Sequence, residues 1–257
     1  MSGSRPGVDQ MISMGFFGKL RLALLAMVAL SKNIVDPWAQ QAFQWAMDGW
    51  GIGRVTRRAH DTAEGRRLLA ERPILQLDLA ALAALPEGTL GRFLSDWFRT
   101  WSIAPFAPRR TPDGALEYFV DRLFFTHDVW HALVGLGTDL RNELRFLGVL
   151  LSQYHSGSAV LALAFGWFKV PAQYGWKAFF VVPLEVWRFY CWGQRCKDLC
   201  FVPWEAYLDQ PLERLRADFL ASDRPRIGEW QSWPTARIVL PPQVTTPRPL
   251  DEGLTAS

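Results

Sequence analysis

Apolar residues in this chain recur three and four positions apart and never settle into sustained alternation. That pattern builds helices and starves a sheet. Leu75, Leu79 and Leu82 share one helical face, and Leu116, Phe119, Val120, Leu123 and Phe124 make another. The expected fold class is therefore all-α, with Arg237–Leu240 the one strand candidate. Hydrophobic residues are 49% and charged residues 21% of 257, which excludes a disordered or fibrous chain. Lys and Arg number 28 against 25 Asp and Glu, too balanced to point to nucleic acid. Three cysteines cannot build a disulfide scaffold, so a reducing compartment is expected.

Residues 1–14 read as a flexible start, 15–220 as a single helical domain and 221–257 as a proline-rich tail. The apolar run Leu22–Leu30 falls short of the roughly twenty residues a membrane span needs. It reads as a first buried helix. A signal peptide is the alternative, because basic residues precede the run. Trp38–Met47 is helical in composition, and Gly49–Gly53 is expected to break it. The arginine-rich stretch Thr56–Leu69 suits a solvated face. Ile74–Leu85 is rich in Leu and Ala, and Thr89 can cap the helix that follows it. Three prolines make 101–114 a loop. Glu117–Leu133 and Pro211–Leu220 are helices, the second short and amphipathic. Phe146–Phe168 carries no charge, but its polar middle, Ser152–Ser158, makes it two helices around a turn. Beyond it, aromatics mix with Lys169, Lys177 and Arg188. That mixture suits a membrane surface, a cavity for an apolar ligand or an ordinary core.

The chemistry concentrates in one segment. His127 and His131 are four apart, so a helix puts both imidazoles on one face. Two neutral rings need carboxylates to hold a divalent cation. Asp128 is adjacent, and Glu143 lies twelve residues beyond His131. A straight helix would carry Glu143 roughly 18 Å away. Gly135 and Gly137 can stop that helix, Thr138 can cap the next, and a helical hairpin then returns Glu143 to the pair. Two nitrogens with one or two carboxylates suit zinc and are compatible with iron, manganese or magnesium. Fewer than four protein ligands leave a position for substrate. The competing reading is a buried histidine pair bonded to backbone or carboxylate. Arg141, Arg145 and Trp130 are candidate substrate contacts.

His127-Asp-x-x-His131, eleven residues and then Glu143 resemble the signature of the Coq4 family of ubiquinone biosynthesis. Leu85-Pro-Glu-Gly-Thr-Leu-Gly91 with Trp97, the Gln153 and Gly157 segment, Trp204-Glu205 and Pro211-Leu-x-x-Leu-Arg216 are also similar to it. The resemblance runs from about residue 73 to about 220. It implies a mostly helical protein working near a membrane on a polyprenylated benzoate or benzoquinone precursor. It also implies a metal held by His127, Asp128, His131 and Glu143, and oxidative decarboxylation that replaces the C1 carboxyl of the ring with a hydroxyl. Expected partners are the prenylated precursor, other quinone-biosynthesis enzymes and the cytoplasmic face of a membrane, where the protein would be peripheral. A homo-oligomer is allowed. The alternative function is a non-catalytic prenyl-quinone or lipid-binding scaffold for those enzymes.

Overall fold

The structure, a computed structural model, describes residues 14–32, 37–47, 49–101, 105 and 114–226. Among them are eleven α-helices and no strand. They are α1 (Phe16–Lys32), α2 (Pro37–Met47), α3 (Gly49–Asp61), α4 (Ala63–Glu71), α5 (Leu79–Ala83), α6 (Leu90–Trp101), α7 (Ala115–Val134), α8 (Leu140–Tyr154), α9 (Gly157–Tyr174), α10 (Trp176–Gly193) and α11 (Leu212–Phe219). Two short 3-10 turns, Leu199–Phe201 and Trp204–Ala206, link α10 to α11. The strand candidate, the flexible start up to residue 13 and the tail from 227 lie outside the described residues.

Two helices position the site. α7 packs against α3, α6 and α11, whereas α8 packs against α9 and α10. Trp130, Tyr118 and Phe119 from α7, Phe146 and Tyr154 from α8 and Trp192 from α10 are wholly buried in one core. α7 is also pinned at mid-length. Arg122 donates from Nη1 to Glu205 Oε1 at 2.8 Å and to the Tyr118 hydroxyl at 3.1 Å, and from Nη2 to the Val202 carbonyl at 2.7 Å. A buried guanidinium needs such a set of acceptors. Burial pushes the neighbouring Tyr118 hydroxyl up to about 12.

Several local expectations are revised. The Gly49–Gly53 segment does not break a helix; α3 starts at Gly49 and runs through Gly51 and Gly53. A Cβ on Gly51 would lie 2.4 Å from the His155 carbonyl oxygen, so this glycine serves close approach to the turn between α8 and α9. Of Ile74–Leu85, only Leu79–Ala83 is helical. Asp78 starts that helix by accepting from the Ala80 and Ala81 amides at 3.0 and 3.2 Å. Thr62 splits the arginine-rich stretch by capping α4 at the Gly65 amide, 3.0 Å. Arg58 in that stretch pairs with Asp198 at 2.6 Å and bonds the Gln153 carbonyl, so it ties α3 to α8. α1 buries Leu22, Ala23 and Ala26 but exposes Phe16, Phe17, Leu20, Leu24, Leu25 and Val28, so it is only half a core helix. Among the described residues, no helix is long and apolar enough to cross a membrane. Next to residue 220, the Trp192 indole donates to the Ala221 carbonyl at 2.9 Å.

Candidate metal centre

α7 ends because Gly135 enters the left-handed region, φ 70°, where a side chain would be strained. The Gly135 and Leu136 amides both donate to the His131 carbonyl, at 2.8 and 3.2 Å, and close the helix. Asp139, not Thr138, caps α8: its carboxylate accepts from the Asn142 amide at 3.2 Å. The carboxylate is the stronger acceptor at a helix start, where the dipole favours negative charge. Arg216 of α11 reaches this turn and donates to the Ala132 and Leu133 carbonyls at 2.8 and 3.0 Å. Arg224 donates to the Gly135 carbonyl at 3.0 Å. The carbonyls that α7 leaves unpaired at its end are therefore held by two arginines from the end of the described chain.

The hairpin brings together His127, His131 and Glu143, whose ligating atoms all lie within 4.8 Å of one another. His131 is fully buried, whereas the His127 and Glu143 side chains are 31% and 32% exposed, which leaves the cluster open on one side. Each imidazole is oriented through Nδ1. His131 Nδ1 lies 3.2 Å from the Leu136 carbonyl and must donate to it, so in the neutral ring Nε2 carries the lone pair. His127 Nδ1 lies 3.3 Å from Asp128 Oδ1. Asp128 is thus a partner of the ring and stands outside the three-residue cluster. His131 Nε2 has no hydrogen-bond partner and is 3.6 Å from Glu143 Oε2, too far to bond. Two ligands on a tetrahedral ion with bonds of roughly 2.1 Å would be roughly 3.4 Å apart. A buried, oriented and unpartnered nitrogen facing a carboxylate at that span fits a metal ligand. Zinc and the harder divalent ions are both compatible with a donor set of two nitrogens and one carboxylate.

The charges of the cluster also act on one another. Burial opposes ionisation of Glu143, but attraction to the protonated forms of the His131 and His127 rings outweighs it and holds the carboxyl below its ordinary range. Burial also opposes protonation of His127, yet the Asp128 carboxylate and then Glu143 raise its pKa. Phe146 stacks on the His131 ring at 3.8 Å and meets His127 edge-on at 4.8 Å, and Trp97 of α6 lies 6.0 Å from His131. Phe146 follows Glu143 by three residues, so helical spacing places it on the same face; that signal could have found it.

The remaining candidates have other partners. Arg141 Nε donates to Glu185 Oε2 of α10 at 2.8 Å, and its Nη2 bonds the other oxygen. Arg145 joins the same carboxylate at 3.1 Å and bonds Asn142 at 2.7 Å. Both guanidiniums are buried and engaged by protein. Trp130 is wholly buried, with its ring 5.4 Å from Tyr154.

The family model described as coenzyme Q (ubiquinone) biosynthesis protein Coq4 matches residues 20–225. A mitochondrial ubiquinone biosynthesis protein COQ4 homologue of Bos taurus is 28% identical over 80% of this chain and 80% of its own length. The mitochondrial COQ4 protein of Coprinopsis cinerea is 29% identical over 63% of this chain, which spans 57% of that relative's length. The crystal structure of a Nostoc punctiforme protein assigned by name to ubiquinone biosynthesis shares the fold. Its TM-score is 0.65 at 22% identity, covering 77% of this chain and 94% of that one. A helical hairpin with two imidazoles and a returning carboxylate, and a family match across nearly all the described residues, place this chain in the Coq4 family of ubiquinone biosynthesis proteins.

Proposed function

We propose that this Coq4-family protein binds a divalent metal at His127, His131 and Glu143 and acts there on a polyprenylated benzoate, exchanging its C1 carboxyl for a hydroxyl. The observation that carries the reading is the pair of Nδ1 contacts, to Asp128 and to the Leu136 carbonyl, which turn both rings toward Glu143. A bound cation, zinc first among the compatible ions, would supply stabilisation of the negative charge on a substrate carboxylate or phenolate. The protein's own groups do the rest. Asp128 orients His127, and the Leu136 carbonyl fixes the proton of His131 on Nδ1. Phe146 and Trp97 exclude water from the His131 ring. Glu143 presents the negative charge, and the half-exposed side of the cluster is the route for the aromatic ring. Arg141 and Arg145, although engaged by Glu185, lie on the helix that carries Glu143 and add positive potential for an acidic substrate; Trp130 supports His131 from the same helix.

Loss of carbon dioxide with gain of a ring hydroxyl is a two-electron oxidation, so dioxygen or a partner enzyme supplies the oxidant. The protein works with other quinone-pathway enzymes, peripherally on the cytoplasmic face of a membrane. Metal analysis of the purified chain beside His131→Ala tests the centre, together with mass spectrometry of co-purifying lipid. We expect about one equivalent of metal in the parent, little in the variant, and a prenylated aromatic acid in the extract. Equal metal in both samples would overturn the centre. The bound precursor without turnover would favour the scaffold function.

A further inference from the structure

We infer that the outer face of the α9–α10 hairpin is the surface with which this protein docks on an anionic phospholipid bilayer. Trp176, Phe180, Leu184 and Trp187 recur at helical spacing along α10 and are 70, 70, 60 and 62% exposed. Phe168 of α9 is 70% exposed and Phe165 45%, so the apolar surface continues across the hairpin. A row of large side chains in water is costly, and its composition is that of a bilayer interface, where tryptophan and phenylalanine sit at headgroup depth. The cations are placed to match. Lys169, Lys177 and Arg188 each immediately follow an exposed aromatic residue, and all three are exposed.

The charge of the hairpin decides between a bilayer and a second copy of the chain. Between Gly157 and Gly193 the single acid is Glu185, and it faces inward to Arg141 and Arg145. Asp139, beside the Tyr174 hydroxyl of α9 at 3.4 Å, is engaged at the start of α8. Two copies meeting through this face would bring cations together with no acid of the face to pair them. Anionic headgroups supply the missing charge. The inner side of the same hairpin packs on α8, the helix that carries Glu143.

The inference deepens the peripheral placement proposed above, and it needs no metal or substrate. The test is co-sedimentation of the full chain with vesicles of phosphatidylcholine, alone or mixed with phosphatidylglycerol, with size-exclusion light scattering alongside. The parent should pellet with the mixed vesicles, less so as salt rises. A Trp176→Ser/Trp187→Ser variant should bind at least about tenfold more weakly. A Lys177→Gln/Arg188→Gln variant should lose about fivefold per cation, on the anionic vesicles only. The charge variant keeps the test alive if the tryptophan variant folds poorly. A parent that never pellets overturns both the peripheral placement and this surface. Undiminished binding by both variants, or loss caused instead by Phe16→Ser/Phe17→Ser on α1, overturns this surface alone. A dimer that the tryptophan substitutions dissociate assigns the face to self-association and also overturns it.

Discussion

Each ring of the histidine pair is aimed by its neighbour on the far nitrogen. For His131 that neighbour is a backbone carbonyl, which no substitution removes. For His127 it is Asp128, which one substitution does. Asp128→Asn keeps the shape and removes the charge. Metal affinity, measured by competition with a chelator, should fall roughly 10–100-fold, the usual loss when such an outer partner is changed. The fold should persist, as read by circular dichroism. Unchanged affinity would mean that His127 is oriented without Asp128. The histidine spacing and the returning glutamate were legible because they are local: a four-residue interval, a glycine stop and a fixed distance to the next acid. The separation of Asp128 from the cluster was not legible, because adjacency in sequence does not tell a ligand from a ligand's partner.

At the level of helices, proline inside α9 and α10 sets a condition that periodicity cannot reveal. Pro183 has no amide proton, so the Phe179 carbonyl loses its partner within α10. The Trp167 indole of α9 donates to that carbonyl at 2.7 Å, and its ring stacks on Phe179 at 4.4 Å. Trp167→Phe keeps the stacking and orphans the carbonyl, which should cost about 1–3 kcal/mol in urea unfolding. Pro183→Ala restores an amide to the same oxygen, so the loss should shrink in that background. Equal losses in both backgrounds would show that the indole contributes by packing alone. The helix boundaries that sequence reading missed have the same origin. Gly51 looked like a stop because composition cannot show the His155 carbonyl pressing against it. Ile74–Leu77 looked helical by content, but the next residue, Asp78, is a better cap than an interior residue.

Over the whole molecule, long-range ion pairs were invisible to a reading of spacing. Arg141 and Arg145 were candidate substrate contacts by their closeness to Glu143 in sequence, yet their partner Glu185 is some forty residues on, on another helix. Burial works to raise the Glu185 carboxyl, and the two guanidiniums outweigh it and hold the pKa below its ordinary 4.5. Since the folded-state value is depressed, the contribution to stability is complete above the unfolded value. It is lost as pH falls through the folded one. Glu185→Gln should therefore cost about 3 kcal/mol near neutral pH, leaving two buried cations uncompensated. It should also flatten the fall in melting temperature on the acid side below about pH 4.5. Thermal melts of parent and variant across that range check this; parallel curves would assign the acid limb to other carboxylates. The all-helical architecture, in contrast, was legible throughout, because a three-to-four interval needs no partner to be recognised.

The clasp of Arg216 and Arg224 on the turn after α7 sets an order of assembly during synthesis. A ribosome delivers both histidines and Glu143 roughly seventy to ninety residues before it delivers Arg216. Until then the carbonyls of Ala132, Leu133 and Gly135 can bond only water. The nascent chain can form the hairpin early, but its turn is clasped only when α11 and the residues up to Arg224 emerge and fold back. A message cut short before α11 would thus yield a protein with every ligand present and the turn between them unclasped.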